Sequence, residues 1–188
     1  CGIEFRSKHD SKIWRAFWDG VFCVSSIAMT FGIGVLLGNL VKGVPVNIER
    51  ELYLSFWDLF TPYTVGIGIL SIALFAMHGN NFLLMKTEGS LQNQLRKKAP
   101  FLILIFTLVL IAMTIWTWES HPYMTKRYRE YPIFCLAPAI FIILLILMTK
   151  TLQSFKYGLA FVYSMLSIAF LFSFFAIGTF PNLITSSI

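Results

Sequence analysis

One histidine stands out among the residues that could do chemistry, because it lies in a long stretch without charged residues. His78 falls within residues 59–85, which contain no Asp, Glu, Lys or Arg. If this stretch is a transmembrane helix centred on residue 72, His78 lies about 9 Å from the bilayer midplane. An imidazole at that depth needs a hydrogen-bond partner from another helix, and it is a functional candidate by default.

Haem ligation is the most specific chemistry that a membrane histidine could supply. Haem iron needs two axial ligands, or one and an open face, on facing helices at matching depth. The other histidines, His9 and His121, fall in predicted loops on opposite sides of the membrane, and no Cys-x-x-Cys-His motif occurs. The methionines of the uncharged stretches fit a core-filling role. We therefore interpret His78 as a hydrogen-bonded structural group.

Other catalytic and metal-binding patterns are scarce in this sequence. The cysteines Cys1, Cys23 and Cys135 form no Cys-x-x-Cys pair, so neither a disulfide framework nor a zinc site is indicated. The uncharged stretches contain no carboxylate, lysine or arginine near the midplane, which proton-coupled transport usually requires. Phosphate-binding loops, paired carboxylates and nucleophile–base motifs are absent as well. The sequence predicts no catalytic residue and no metal ligand in this chain.

The elements that carry His78 must be membrane helices. Hydrophobic residues make up 57% of the chain and charged residues 13%, which is too apolar for a soluble domain. Continuous apolar runs of about 18 residues or more predict helices, because barrel strands would alternate. The predicted fold is all-α, a polytopic transmembrane helical bundle forming one membrane domain over residues 1–188. Its five predicted spans cover residues 20–41, 59–85, 99–118, 132–149 and 157–180.

Lysine and arginine are distributed unequally between the two sides of this bundle. Ten lie in the N-terminal segment and in loops 86–98 and 150–156, whereas five lie in the loops on the other side. The positive-inside rule therefore predicts a cytoplasmic residue 1 and an external residue 188. Because the basic residues are split among loops, they do not form one face for nucleic acid.

Four ordered motifs give a more specific interpretation. They are Glu4-Phe5-Arg6-Ser7-Lys8, then Trp14-Arg15-x-x-Trp18-Asp19-x-x-Phe22, then Gly38-Asn39-Leu40-Val41-x-Gly43-x-Pro45, and His78-Gly79-x-x-Phe82-Leu83-x-x-Lys86-Thr87-x-Gly89. In this order and membrane placement, the sequence resembles subunit II of cytochrome bd ubiquinol oxidase. The resemblance runs from about residue 2 to Phe180-Pro181 and is strongest over the first 89 residues.

The resemblance implies a respiratory heterodimer of the bacterial cytoplasmic (inner) membrane that oxidises quinol and reduces dioxygen to water. It places haem b and haem d in the partner, subunit I, so this chain would bind no haem itself. Subunit II would stabilise subunit I, and in some members it contributes to a proton path or holds a structural quinone. It also implies a longer chain, with about three helices before residue 1 and one after residue 188.

Two sets of residues are candidate sites within that family. Gly34 and Gly38 have the small-x-x-x-small spacing that lets two helix backbones approach closely in lipid. A second set shares the predicted cytoplasmic side and could form a structural or proton-path polar cluster. This set is Arg6, Arg15, Asp19, His78, Lys86 and Glu88. Some members of the family lack the histidine, which implies a structural or tuning role for His78. The alternative function is a transporter or channel component of the inner membrane.

Overall fold

The computed structural model describes residues 2–6, 11–43, 55–121, 128 and 136–179. Pro45, Cys1, Cys135 and Pro132 lie outside these described residues. Over the described residues the chain forms six α-helices and one short 3-10 turn, Phe56–Leu59. The helices are α1, Gly2–Arg6; α2, Lys12–Lys42; α3, Pro62–Lys86; α4, Gly89–Ser120; α5, Leu136–Gln153; and α6, Tyr157–Thr179.

The predicted helical membrane bundle is confirmed. Four helices, α2, α3, α4 and α6, are long and apolar enough to cross a membrane, and a shorter apolar helix, Pro138–Gln153, lies within α5. Each predicted span thus coincides with a helix over its described residues. The fourth span was predicted from residue 132, and residues 132–135 lie outside the described part of the chain.

The connections between helices are shorter than the sequence predicted. The prediction of a loop over residues 86–98 was wrong, because α4 already begins at Gly89 and carries Arg96, Lys97 and Lys98 within its first turns. Only Thr87 and Glu88 separate α3 from α4, and only residues 154–156 separate α5 from α6. The absence of charge marks where hydrocarbon begins, but backbone hydrogen bonding continues the helix through the headgroup layer.

Side chains at the helix ends explain the tight turns around α3. Thr61 caps its start by accepting from the Thr64 backbone N–H, and Pro62 occupies the first helical position, where no N–H is needed. At the other end the Gln92 amide donates to the carbonyls of Leu84 and Thr87, at 3.0 and 2.7 Å. These bonds satisfy carbonyls that a helix end otherwise leaves unpaired.

Helix α3 lies at the centre of the bundle, in contact with α2, α4 and α6. Its closest approach is to α2, at Gly34 and Gly38. A Cβ added to Gly34 would lie 2.7 Å from the Gly68 Cα, and one added to Gly38 would lie 3.0 Å from the Thr64 Cα. A Cβ at Gly34 would clash with α3 and one at Gly38 would be crowded, so the two helix backbones pack directly against each other.

Candidate functional site

His78 joins α3 to α6 through a direct hydrogen bond. Its Nδ1 lies 2.9 Å from the Oγ of Ser164, which is fully buried in α6. The imidazole ring also stacks on Phe161, with ring centroids 5.1 Å apart and an angle of 25° between the planes. The prediction that His78 finds a hydrogen-bond partner on another helix is therefore confirmed.

The contacts of Ser164 also indicate which ring nitrogen of His78 carries hydrogen. The Ser164 hydroxyl lies 2.7 Å from the Phe161 carbonyl, and because a carbonyl cannot donate, this contact uses the single hydroxyl hydrogen. The Ser164 Oγ must then accept from an Nδ1–H of His78. In a neutral ring this leaves Nε2 as an unprotonated acceptor.

Two asparagines follow His78 on the same helix and are both buried. The Asn81 amide donates to the Met148 thioether sulfur of α5 at 3.2 Å, so α3 is tied to α5 as well as to α6. The Asn80 amide nitrogen is buried and has no hydrogen-bond partner among the described residues. The C-terminal half of α3 therefore holds the α5–α6 pair through polar side chains.

The α1–α2 junction contains the described residues of the first two sequence motifs. Arg6 Nε donates to Asp19 Oδ1 at 2.6 Å, in an ion pair that is about half exposed on each side. The Trp14 indole donates to the Phe5 carbonyl at 2.8 Å, and the Phe5 ring stacks on Trp18. Arg15 lies four residues before Asp19, a spacing that makes an ion pair geometrically available, but Asp19 pairs with Arg6 because α1 packs along α2.

The six residues of the predicted polar cluster are distributed over several elements. Arg6 and Asp19 are in contact at the α1–α2 junction. His78 faces α6 instead, where its partners are Ser164 and Phe161. Lys86 ends α3 and Glu88 precedes the first residue of α4. One cluster that contains all six, Arg15 included, stays a prediction.

Polar contacts also fix the opposite end of the bundle. The buried Asn39 amide donates to the carbonyls of Val35 and Leu59, both at 2.9 Å, and the Thr64 hydroxyl donates to the same Leu59 carbonyl at 2.6 Å. Nearby, the Tyr63 hydroxyl donates to Thr117 at 2.8 Å, since the Thr117 hydrogen is used on the Met113 carbonyl. These bonds join α2, the 3-10 turn, α3 and α4.

His121 follows the last residue of α4 beside this network. Its ring lies 4.6 Å from the Tyr63 ring in an edge-to-face arrangement. Burial lowers the pKa of His121 below its usual range, and the positive charge of Lys42 lowers this pKa further. The neutral imidazole is therefore the form that the folded protein favours.

A cavity of about 210 Å³ lies between α2, α3, α4 and α6. Its wall is almost wholly apolar, with Gly34 and Ser71 at the α2–α3 crossing and Thr117 and Tyr63 near its end. A cavity of about 150 Å³ with such a lining stays dry and binds small apolar molecules. This one therefore suits part of a hydrocarbon chain rather than an ion or a row of waters.

Comparison with known proteins decides the family. The sequence model described as Cytochrome bd terminal oxidase subunit II matches residues 1–188. The chain belongs to the cytochrome bd terminal oxidase subunit II family. Cytochrome bd-I ubiquinol oxidase subunit 2 of Escherichia coli K12 is 29% identical over 99% of this chain, and cytochrome bd ubiquinol oxidase subunit 2 of Bacillus subtilis is 25% identical over 99%. A probable cytochrome oxidase subunit 2 of Haemophilus influenzae is 24% identical over 99%. The chain spans 54–57% of the length of these relatives.

The donor set of this subunit II chain does not fit a haem site. Among the described residues, no group of three or more His, Cys, Asp or Glu side chains could hold a metal ion. His78 is the single histidine inside a described helix, so the described helices offer no second histidine as an axial ligand. The Met148 sulfur accepts from Asn81, and Met77 and Met113 are packed in the core.

Sequence reasoning missed several residues that hold the site together. The i, i+3 spacing of Ser164 and Ser167 places both on one helix face and suits packing or hydrogen bonding between helices, but nothing in the sequence links Ser164 to His78. Gln92 and Asn81 gave no such signal, because a single polar residue near a helix end fits many roles, and Met148 fits a core-filling role. Their partners lie up to 67 positions away in the sequence, as for Asn81 and Met148.

Proposed function

We propose that this chain belongs to the non-haem-ligating membrane subunit of a bd-type quinol oxidase in the aerobic respiratory chain of a bacterial inner membrane. The observation that carries the proposal is the family match over residues 1–188, together with relatives named as subunit 2 of such oxidases. Its partner would be subunit I, which would carry haem b and haem d and would receive electrons from quinol. This subunit would then supply no catalytic residue.

The role of the chain in that complex would be to stabilise the haem-bearing partner. Three features support this role: the direct backbone packing at Gly34 and Gly38, the His78–Ser164 bond, and the network around the Leu59 carbonyl. Together they tie α3 to α2 and α6 at two depths. A scaffold that is rigid at both ends keeps its outer surface in one shape, which a permanent partner needs.

A bound quinone is the finer part of this proposal. The apolar cavity beside Gly34 and Ser71 has the volume and lining for part of an isoprenoid tail. Ile168→Trp would fill it from α6, whereas Ile142→Trp changes an exposed residue of α5 outside the cavity. We expect solvent extracts of the purified complex to lose quinone with the first variant and to retain it with the second. Equal quinone content in both would remove the cavity from the proposal.

A proton path through the polar cluster is the alternative role for its members. Only the Arg6–Asp19 contact supports it, since His78 is engaged with α6. Asp19→Asn and Lys86→Met test it directly. If both variants leave complex yield, haem content and turnover unchanged, neither a proton path nor a structural cluster at these residues can be maintained.

The experiment that tests the proposed function is complementation. In cells that lack the gene, restoring the full-length protein should restore quinol-dependent oxygen uptake in isolated membranes. An inactive subunit I, co-expressed as control, should abolish the uptake while this subunit is still inserted. The transporter or channel alternative predicts no change in oxygen uptake in either case, and the nearly apolar cavity offers it no water-lined path.

A further inference from the structure

The net charge of the chain is concentrated at one end of the bundle. Residues 86–98 and 150–156 carry six cations and one carboxylate, which accounts for five of the six net positive charges of the chain. By contrast, residues 1–19 carry four cations and three carboxylates, and the segments 42–58 and 119–131 together carry five of each. Most of the excess positive charge therefore lies in residues 86–98 and 150–156.

The structure brings these cations together from three helices, α3, α4 and α5, and from the turn between α5 and α6. Phe82 of α3 lies against Phe161 of α6, with ring centroids 5.7 Å apart, so the end of α3 and the start of α6 lie at the same level. Arg96 of α4 lies over the Phe155 ring in the α5–α6 turn, 4.7 Å from its centroid. We call the resulting area the cationic surface. It comprises Lys86, Arg96, Lys97, Lys98, Lys150, Lys156 and the Phe155 ring.

Membrane topology alone does not account for the composition of this surface. The positive-inside rule counts Lys and Arg, and carboxylates contribute little to it, so it leaves the shortage of Asp and Glu unexplained. The helix dipole favours Lys150 at the end of α5, but it does not favour three successive cations in the first turns of α4. An excess of like charge repels itself, so an anionic partner would relieve it.

The position of the cationic surface selects the kind of anion. Lys97 and Lys98 are exposed and immediately precede Ala99, where the apolar part of α4 begins. Cations at this depth lie in the headgroup layer. Phe155 is 63% exposed, and its φ of 58° lies in the left-handed region that residues other than glycine rarely adopt. An exposed ring held there suits the boundary between acyl chains and headgroups.

Arg96 supplies the directional contact. Its guanidinium carbon is held 4.7 Å from the centroid of the Phe155 ring, and the N–H groups of a guanidinium bind phosphate oxygens in pairs. We propose that the cationic surface binds the phosphate headgroup of an anionic phospholipid, with Arg96 as the oriented donor and Lys97 and Lys98 as flanking charges. This binding is independent of the oxidase chemistry.

The test uses the full complex, purified in detergent and depleted of lipid. Short-chain phosphatidylglycerol is titrated against its thermal unfolding midpoint, with short-chain phosphatidylcholine as the neutral comparison. A ligand that binds the folded state raises this midpoint as its concentration rises. Each basic residue near an anionic surface contributes about a fivefold gain in affinity, so Lys97→Gln with Lys98→Gln should weaken phosphatidylglycerol binding about 25-fold.

Two control pairs separate this site from diffuse attraction. Lys12→Gln with Lys42→Gln removes two cations outside the cationic surface and should leave the titration unchanged, and Lys97→Arg with Lys98→Arg should retain binding. If the glutamine pair does not assemble, each single glutamine variant should weaken binding about fivefold. Equal weakening by both glutamine pairs, no response to phosphatidylglycerol, or an equal response to inorganic phosphate would each overturn the proposal. Because no turnover is measured, failure of the oxidase assignment would leave this result unaffected.

Discussion

Replacing Ser164 with alanine tests the contact that joins α3 to α6. The change removes an acceptor 2.9 Å from His78 Nδ1 at a fully buried position, so the ring N–H loses its partner in the bundle. Hydrogen bonds between membrane helices contribute about 0.6 kcal/mol on average and about 1.7 kcal/mol at most. Because Ser164 is also bonded to Phe161 and so held in place, we expect a value near the upper end, about 1.5 kcal/mol.

The assay is a double-mutant cycle on the unfolding free energy of the purified complex in detergent. His78→Phe keeps a ring against Phe161 and removes the hydrogen bond, so Ser164→Ala should cost far less in that background. In parallel, ¹⁵N-histidine labelling reports which ring nitrogen of His78 is protonated, and we expect Nδ1. A coupling energy near zero, or a ring protonated on Nε2 alone, would refute the reasoning from the Ser164 hydroxyl.

Three further predictions address other parts of the fold. Gly34→Leu should cost about 1–3 kcal/mol or more in unfolding free energy, because its Cβ would meet α3 at 2.7 Å. Gly20→Leu, with nothing within 4 Å, should be neutral, and melting curves of the complex compare the two variants. Because the pKa of His121 is lowered in the folded state, its neutral ring contributes fully to the stability of the fold above about pH 6.5. That contribution is lost as the pH falls through the folded-state pKa. His121→Gln should therefore make the thermal unfolding midpoint less dependent on pH between about pH 5 and 7. An unchanged slope of midpoint against pH would contradict this. Asp19→Asn should cost less than about 1 kcal/mol, since its ion pair with Arg6 is half exposed; a larger loss of melting stability would show a wider network.

The helical architecture was predictable from the sequence because lipid imposes a simple rule. Every backbone group must be bonded internally, so each long uncharged run has to be a helix, and His78 could be assigned to a membrane depth from its distance to the midpoint of its span at residue 72. The same rule could not locate the start of α4 at Gly89, because charged residues are tolerated in a helix once it leaves the hydrocarbon. The cations Arg96 to Lys98 marked the edge of the membrane and not the end of a helix.

The pairing of side chains was harder to predict than the helices. A buried imidazole predicts that some partner exists, but Ser164 was one of several hydroxyl residues on other spans. For Asp19, helical spacing favoured Arg15 four residues away, yet the reversal between α1 and α2 brings Arg6 closer. Which side chains pair depends on how the helices pack in three dimensions. The sequence pattern indicates that packing only at the α2–α3 crossing, which two glycines mark.

The most direct test of the central claim is purification of the complex through a tag on the full-length protein that contains this chain. We predict that a larger membrane subunit co-purifies, that the reduced-minus-oxidised spectrum shows haem b and haem d, and that added quinol drives oxygen uptake. A preparation from intact membranes in which this protein is abundant and folded, but which contains no haem-bearing partner, would contradict the account.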